Sequence, residues 1–588
     1  MKRLLDWLDA RLDFRRHAER VANLPVAGGA SLGHGLAAGL VFTFVLLATT
    51  GLALMTVYAP TTTAAWGSVH YLSYVLPAGW LVRGLHYGAS AVFLVLAVTQ
   101  IARMVATAAY RRQHELAYWF ALALFALVLA EAITGHLLPW DQRGYWARRV
   151  EMNIAGMTPV VGSLVTSVIQ GGPELGQLGL TRFFTLHVAV IPFVLGALLR
   201  LHVGTSRRPG EGEASEPWGR RQMWIDSAFG VAVAALAFAV ARALHGAPLD
   251  APADPASDYP ARPEWFLLPL FELRKHFHGA LEFPGVAGVP ALVGLYFAAL
   301  PFVDAKPKAS FAARLPVLAP AFLVALACVL FSVTATRRDA SDAAYQKAAA
   351  KASAVAEASI AIARSGVPAT GPLAMLAADT ELRGGELFGK HCASCHVLAG
   401  AGDAAKATAP VLDGWGTEAW VLAVLHDPDA DDKFGRTPFK EMMPSVDVAP
   451  KDAPPTWKGM SDDDKRAVAH FLALEGSEPG DPTKSVDEPR RELGRKIVKE
   501  RCTTCHLFGG EGDDSSQEYA PELAKYGSLA WTRAQIANPA TKATYREKAT
   551  ESDLKGHMPR FDGELSQDDL TILARYTRAK ARGLALPR

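Results

Sequence analysis

The chain has 588 residues, half of them hydrophobic and 20% charged, with a formal net charge of +2. That length exceeds one ordinary domain, and that charge gives no electrostatic footing for nucleic acid. Apolar residues crowd into roughly the first 335 positions and charged, Gly- and Pro-bearing stretches dominate after about 380, so the composition describes one part in lipid and one in water.

In chain order, the opening stretch MKRLLDWLDARLDFRRHAERVAN is amphipathic and charged throughout, without the apolar run of a cleavable signal. It reads as an interfacial helix lying on a membrane, with a soluble cap helix as the alternative. Seven stretches are then apolar and long enough to cross a bilayer: about 35–58, 79–107, 116–138, 181–203, 226–246, 287–303 and 315–335, the sixth being short. The long connection after the third span predicts short amphipathic surface helices. Lys and Arg gather at the N-terminus and in RMVATAAYRRQHE, TSRRPGEGEASEPWGRRQ and DAKPKASFAAR, all on one side. The positive-inside rule makes that side the cytoplasm, so seven spans deliver the C-terminus to the periplasm across a bacterial inner membrane.

Intramembrane histidines are functional candidates by default. His86 lies in the second span, and His187 and His202 in the fourth; both spans run inward, so His86 and His187 meet near the outer end. His202 follows His187 by 15 residues, about 22 Å along a helix at 1.5 Å per residue. At that lower level the second span carries Gln100. The geometry predicts two stacked sites, His–His above and His–Gln below. Facing imidazoles are a way to hold an electron-transfer haem.

These residues resemble the cytochrome b family of bc1 and b6f complexes, over about residues 1–335. GWLVRGLHYGAS (79–90) is similar to the haem-binding start of the family's second helix, with Arg83 as a propionate partner. GHLLPWDQRGYWA (135–147) resembles the G-x-x-L-P-W-G-Q segment of the quinol-oxidation pocket, with Pro139 and Trp140 matched and Asp141 replacing a glycine. RFFTLHVAVIPFVLGALLRLH (182–202) resembles the fourth helix, with the histidine spacing of b6. RPEWFLLPLFELR (262–274) resembles the P-E-W-Y motif through Pro263, Glu264 and Trp265, with Phe266 for the tyrosine. The resemblance implies a quinol oxidised at the outer face, Glu264 accepting its proton, a separate Rieske iron–sulfur protein, a cytochrome c-type acceptor and a dimeric complex. On the residues alone, Glu264 could equally cap a short helix after Pro263.

The lower level departs from the family. Family glycines 14 apart let haem edges approach the backbone; Gly51 and Gly135 match the upper members, but Ala37 and Ala121 stand at the lower ones. Arg103, matching a lower propionate partner, and His202 remain. One b haem is therefore expected between His86 and His187, and the second is put in doubt by Gln100. His34, on the face of Ala37, is a substitute ligand to consider, and hydrogen bonding between Gln100 and His202 is the alternative.

Residues 336–378 are Ala-rich and read as a semi-rigid helical spacer. Two copies of one pattern follow, each with a helix entering C-x-x-C-H, an A-P-x-L turn, a Trp helix, a Met-Pro and a closing helix. They resemble tandem class I cytochrome c domains. Cys392 and Cys395 with His396, and Cys502 and Cys505 with His506, predict two covalently attached c haems. The sixth ligands expected are Met443 in the first copy, with Met442 a rival, and Met558 in the second, with His557 adjacent.

The expected fold is all-α: a cytochrome b6-like part (1–210), a subunit IV-like part carrying PEWF (211–335), the linker (336–378), and cytochrome c domains at 379–480 and 481–588. The expected function is the membrane subunit of a quinol–cytochrome c reductase acting with a Rieske protein. The alternatives are a single-b-haem chain running linear quinol-to-c transfer, and a non-catalytic anchor for a dihaem cytochrome c.

Overall fold

The computed structural model describes residues 2–111, 113–172, 174–210, 212–304, 311–447, 458–479, 481, 486–512, 520–541, 543–545 and 558–586. His557 lies outside them. The fold is all-α as expected; among the described residues the only strands are Pro25–Ala27 and Ser215–Pro217, paired antiparallel. The chain divides into two compact units, Met1–Leu373 and Ala374–Arg588.

The first unit contains seven helices long and apolar enough to span: Leu32–Met55, Gly79–Thr107, Glu115–Leu137, Gln177–Arg207, Gln222–Ala243, Gly279–Val303 and Ala312–Ser341. The seven expected stretches are all there. The sixth is longer than its apolar run because a 3-10 turn and a π turn, Gly279–Leu281 and Pro284–Gly288, extend it outward. The fourth contains a π turn at Leu186–Val190, around His187. Pro192 lacks the N–H that would bond the Val188 carbonyl, and the ladder slips by one residue there.

Spans one to four pack as a ring: the first on the second and fourth, the third on the second and fourth. Their shared core is Leu40, Phe93, Leu94, Ala97, Leu124, Val128, Ile191, Leu195 and Leu199. These residues form an apolar layer between the two histidine levels. The outward faces carry exposed Phe42, Val45, Leu52, Val95, Val98 and Phe193, which suit lipid. Leu4, Leu5, Trp7 and Leu12 of the N-terminal helices are exposed too, as an interfacial helix requires. The connection after span three forms the helices Gln142–Gly156 and Gly162–Gln170, as predicted.

The Ala-rich segment is helical and touches the rest of the first unit at a few points. Its helix Ala343–Ile362 follows the seventh span, and the Ile360 carbonyl accepts from His70 Nε2 at 3.1 Å. Asp339 accepts two hydrogen bonds from Arg262, at 2.8 and 2.9 Å, and the guanidinium stacks over Tyr345 at 4.0 Å. The residue before PEWF is thereby pinned.

The second unit corrects an expectation. The repeats at 379–480 and 481–588 are not two separately folded bodies. The opening helix of the first repeat, Thr380–His391, packs on the closing helix of the second, Gln567–Arg582, with Arg383 paired to Asp569 at 2.8 Å and Phe388 against Tyr576. The closing helix of the first repeat, Asp462–Glu475, packs on the opening helix of the second, Glu488–Arg501. Gly384 and Gly494 sit at the two crossings, where a Cβ would strike Tyr576 and Ala467. One continuous core, including Phe388, Trp420, Phe471, Val498, Trp531 and Leu573, runs through both repeats.

Candidate functional site

At the upper level, the ring centres of His86 and His187 are 6.2 Å apart. Two metal–imidazole bonds of about 2.0 Å, plus about 1.2 Å from nitrogen to ring centre on each side, give about 6 Å. The rings are therefore spaced for one iron. Their tautomers follow from hydrogen bonds. His86 Nδ1 lies 2.9 Å from Thr50 Oγ1, whose hydroxyl proton already goes to Leu46 O at 2.7 Å. His187 Nδ1 lies 3.3 Å from Thr134 Oγ1, whose proton goes to Ala130 O at 2.9 Å. Both hydroxyls must accept, so both Nδ1 carry hydrogen and both Nε2 lone pairs are left for the metal.

A cavity of about 370 Å³ opens here, lined by His86, His187, Gly51, Gly135, Arg83 and Glu264 among others. A Cβ at Gly51 would lie 3.2 Å from His86 Cε1, and one at Gly135 2.6 Å from His187 Cε1. The glycines make room first for the imidazoles themselves. Glu131 Oε1 lies 3.3 Å from His187 Nδ1 and its Oε2 is buried without a partner. The donor set fits a b haem. Arg83, expected at a propionate, donates to the backbone carbonyls of Ala247 and Pro248 at 2.8 and 2.6 Å while lining the same cavity.

Glu264, buried, also lines the cavity, with Oε1 3.2 Å from His136 Nδ1. Burial pushes its carboxyl up, but the His136 hydrogen bond and the charges of His136, Arg143 and Arg148 outweigh this and hold it below the usual range. Glu151, paired to Arg148, is pushed up by burial to about 7. Phe266 meets the His136 ring at 6.1 Å. Pro139 lines the cavity, whereas Trp140 does not: it turns into the core beside Ala65 and Tyr145. Pro263 is likewise outside the lining, and Trp265 is half exposed. Asp141 accepts from Gly144 N at 2.9 Å and Asp250 N at 3.1 Å, so it caps one helix and ties down a second loop.

The lower level is closed. His202 Nδ1 bonds the Ala117 carbonyl at 2.8 Å, leaving its Nε2 as acceptor, and Gln100 Nε2 donates to that atom at 3.0 Å. Gln100 Oε1 in turn accepts from Arg103 Nε at 3.3 Å. The atom that would bind iron is thus already bonded, in a chain that satisfies every member. Arg103 folds against Gly33, where a Cβ would come within 2.5 Å of the guanidinium. Gln100, His202, Ala37 and Ala121 are all buried. His34, considered as a substitute ligand, is tied through Nε2 to Ala27 O at 3.0 Å. These residues do not fit a second b haem.

In the second unit, His396 and His506 donate through Nδ1 to the carbonyls of Pro410 and Pro521, at 2.8 and 2.9 Å, and burial pushes both imidazoles down. Each therefore presents Nε2 to a cavity that also receives its two cysteines, the donor set of a covalent haem. The methionines do not fall as expected: Met558 lies with Cys392, Cys395 and His396, and Met442 and Met443 lie with Cys502, Cys505 and His506.

Family comparisons agree with this layout. The cytochrome b/b6/petB family model matches residues 21–209, the cytochrome c model residues 382–474, and the model of subunit III of cbb3-type cytochrome c oxidase residues 489–576. Cytochrome b6 of Acaryochloris marina (strain MBIC 11017) is 30% identical over 210 residues, 36% of this chain and 98% of that protein. Cytochrome b6 of Prochlorococcus marinus (strain MIT 9211) is 31% identical over 205 residues, 35% of this chain and 94% of its own length. A chain of a hyperthermophilic respiratory Complex III shares the fold with a TM-score of 0.50 at 23% identity, covering 61% of this chain and 97% of the other. The chain belongs to the cytochrome b/b6 family and continues into cytochrome c domains, as a membrane protein of electron transport.

Proposed function

We propose that the chain is the membrane subunit of a bc-type complex that oxidises quinol at the periplasmic face. The observation that carries this reading is the Glu264–His136 pair lining the cavity that also holds His86 and His187. Oxidising a quinol to a quinone releases two protons and two electrons. Glu264, kept ionised at neutral pH by His136 and the nearby arginines, accepts a hydroxyl proton, with the Glu151 carboxyl, pushed up to about 7, as the onward acceptor. Arg262, clamped by Asp339, positions the loop. Bound haem supplies the one-electron chemistry, a b haem at His86 and His187 and c haems at the two C-x-x-C-H segments. A separate Rieske protein takes the other electron, and a cytochrome c-type partner receives the outflow of what is expected to be a dimer. The basic loops favour a cytoplasmic N-terminus, with the c domains then in the periplasm of a bacterial inner membrane.

Between the two versions of this function, the Gln100–His202 bond favours the one with a single b haem. Electrons then leave on the outer side by a linear route, because about 22 Å of apolar core separates the upper site from the lower. The test of quinol chemistry is Glu264→Gln in the purified complex. Turnover with a quinol falls while the haem spectra stay unchanged; unaltered turnover would leave only the anchor reading.

A further inference from the structure

Each C-x-x-C-H segment faces a cavity that its own repeat only half encloses. The first, of about 250 Å³, takes Cys392, Cys395 and His396 from one repeat and Trp531, Met558 and Phe561 from the other. The second, of about 510 Å³, takes Cys502, Cys505 and His506 from the second repeat and Trp420 and Met443 from the first. We propose that the two c-haem sites exchange distal ligands: Met558 serves the iron held by His396, and Met443 the iron held by His506. The inference rests on both segments taking covalent haem, and not on the quinol reading.

Several contacts support the exchange. Gln535, on the second repeat's Trp helix, donates to Met558 Sδ at 3.6 Å, so this methionine is oriented by its own repeat while facing the other repeat's cysteines. Met443 packs on the common core, whereas Met442 is 42% exposed, so Met443 is the ligand of the pair. The chain path explains the geometry. Residues 417–527 supply, in order, a Trp helix, a Met-Pro, a closing helix, an opening helix and C-x-x-C-H, which make one complete module. Residues 380–415 and 528–586 make the other around it. In the inner module the terminal helices pair across the short connection 476–487, a local contact with little loop-closure cost. The two chain passages meet at Gly416 and Gly527, equivalent positions in the repeats, both at φ 75°. A Cβ on Gly527 would lie 3.8 Å from Gly416 Cα, and Trp415 Nε1 donates to Tyr526 OH at 3.0 Å. Trp420, Phe434, Phe439, Tyr526 and Tyr545 line both cavities, so each haem abuts a shared aromatic wall.

The test uses the full chain with one covalent site removed. In C392A/C395A only the haem at His506 remains, and the red charge-transfer band of ferric Met–iron ligation reports its distal ligand. Adding M443L abolishes the band and adding M558L preserves it. In C502A/C505A the two effects reverse. The opposite pattern in either background overturns the exchange. Should neither variant accumulate, zero-length cross-linking of the unaltered chain decides: Lys580 joins Glu381, whose Oε1 lies 2.6 Å from Nζ. Absence of the Glu381–Lys580 link in a chain that carries both covalent haems would mean self-contained repeats. An unaltered chain without covalent haem would defeat the haem-c reading on which the inference stands.

Discussion

The upper and lower levels of the bundle are built on the same four helices, about four turns apart, and they reach opposite ends. Above, Thr50 and Thr134 take the Nδ1 protons of two histidines and leave two Nε2 lone pairs free beside one cavity. Below, Ala117 does the same for His202, but the remaining lone pair is met by an amide N–H of Gln100. An amide donor thus stands where the upper level presents a second imidazole. A buried polar atom needs a partner, and at His202 the Gln100 amide supplies it. Arg103 completes the arrangement by donating to Gln100 and lying against Gly33.

The largest effect separating the levels is expected from His86→Ala or His187→Ala. Either removes an axial ligand, so the b-type absorbance and quinol turnover are lost while c-type absorbance persists; retained b absorbance would move the haem elsewhere. Next comes Glu264→Gln, for which turnover falls on the order of 100-fold with unchanged b and c spectra, as the loss of a positioned proton acceptor gives. The pH profile sharpens that assignment. His136→Asn removes the hydrogen bond and charge that hold the Glu264 carboxyl down, so its pKa rises. A group that must be ionised to accept a proton then titrates at higher pH, and the acid limb of the turnover profile moves upward; an unmoved limb would separate His136 from Glu264. The smallest effect belongs to the lower level. Gln100→Ala strands the His202 lone pair, at a cost of about 1–3 kcal/mol seen as a lower melting temperature, with b-haem content unaltered. Loss of haem on Gln100→Ala would show that the lower level is occupied after all.

Much of this was legible in the sequence because it is local. Spans announce themselves by length and hydropathy, and C-x-x-C-H by adjacent residues; the seven helices and the facing of His86 and His187 followed. The closed lower site was half legible, since Gln100, Ala37 and Ala121 marked a loss, though not the role of Arg103 within it. Thr50 and Thr134 were missed, although each stands immediately before a matched glycine, and that repeated Thr-Gly pair was the available signal. His136 was missed because it meets Glu264 of a distant loop only through the tertiary fold, whereas Glu151 stands three residues after Arg148 on one helix, and that spacing was the available signal. The exchange of methionines was invisible for a different reason. Two similar repeats offer equivalent partners, and only the paths at Gly416 and Gly527 choose between them. Trp140 and Pro263 show the converse: they belong to matched motifs, yet they support the loops and stay out of the cavity.

The most direct test of the account is the ratio of b to c haem in the purified chain, read from pyridine haemochrome spectra. One b haem per two c haems is the predicted result, with the upper level loaded and the lower closed by Gln100 and His202. Two b per two c would contradict it, because the lower imidazole would then have to leave its hydrogen bond for an iron.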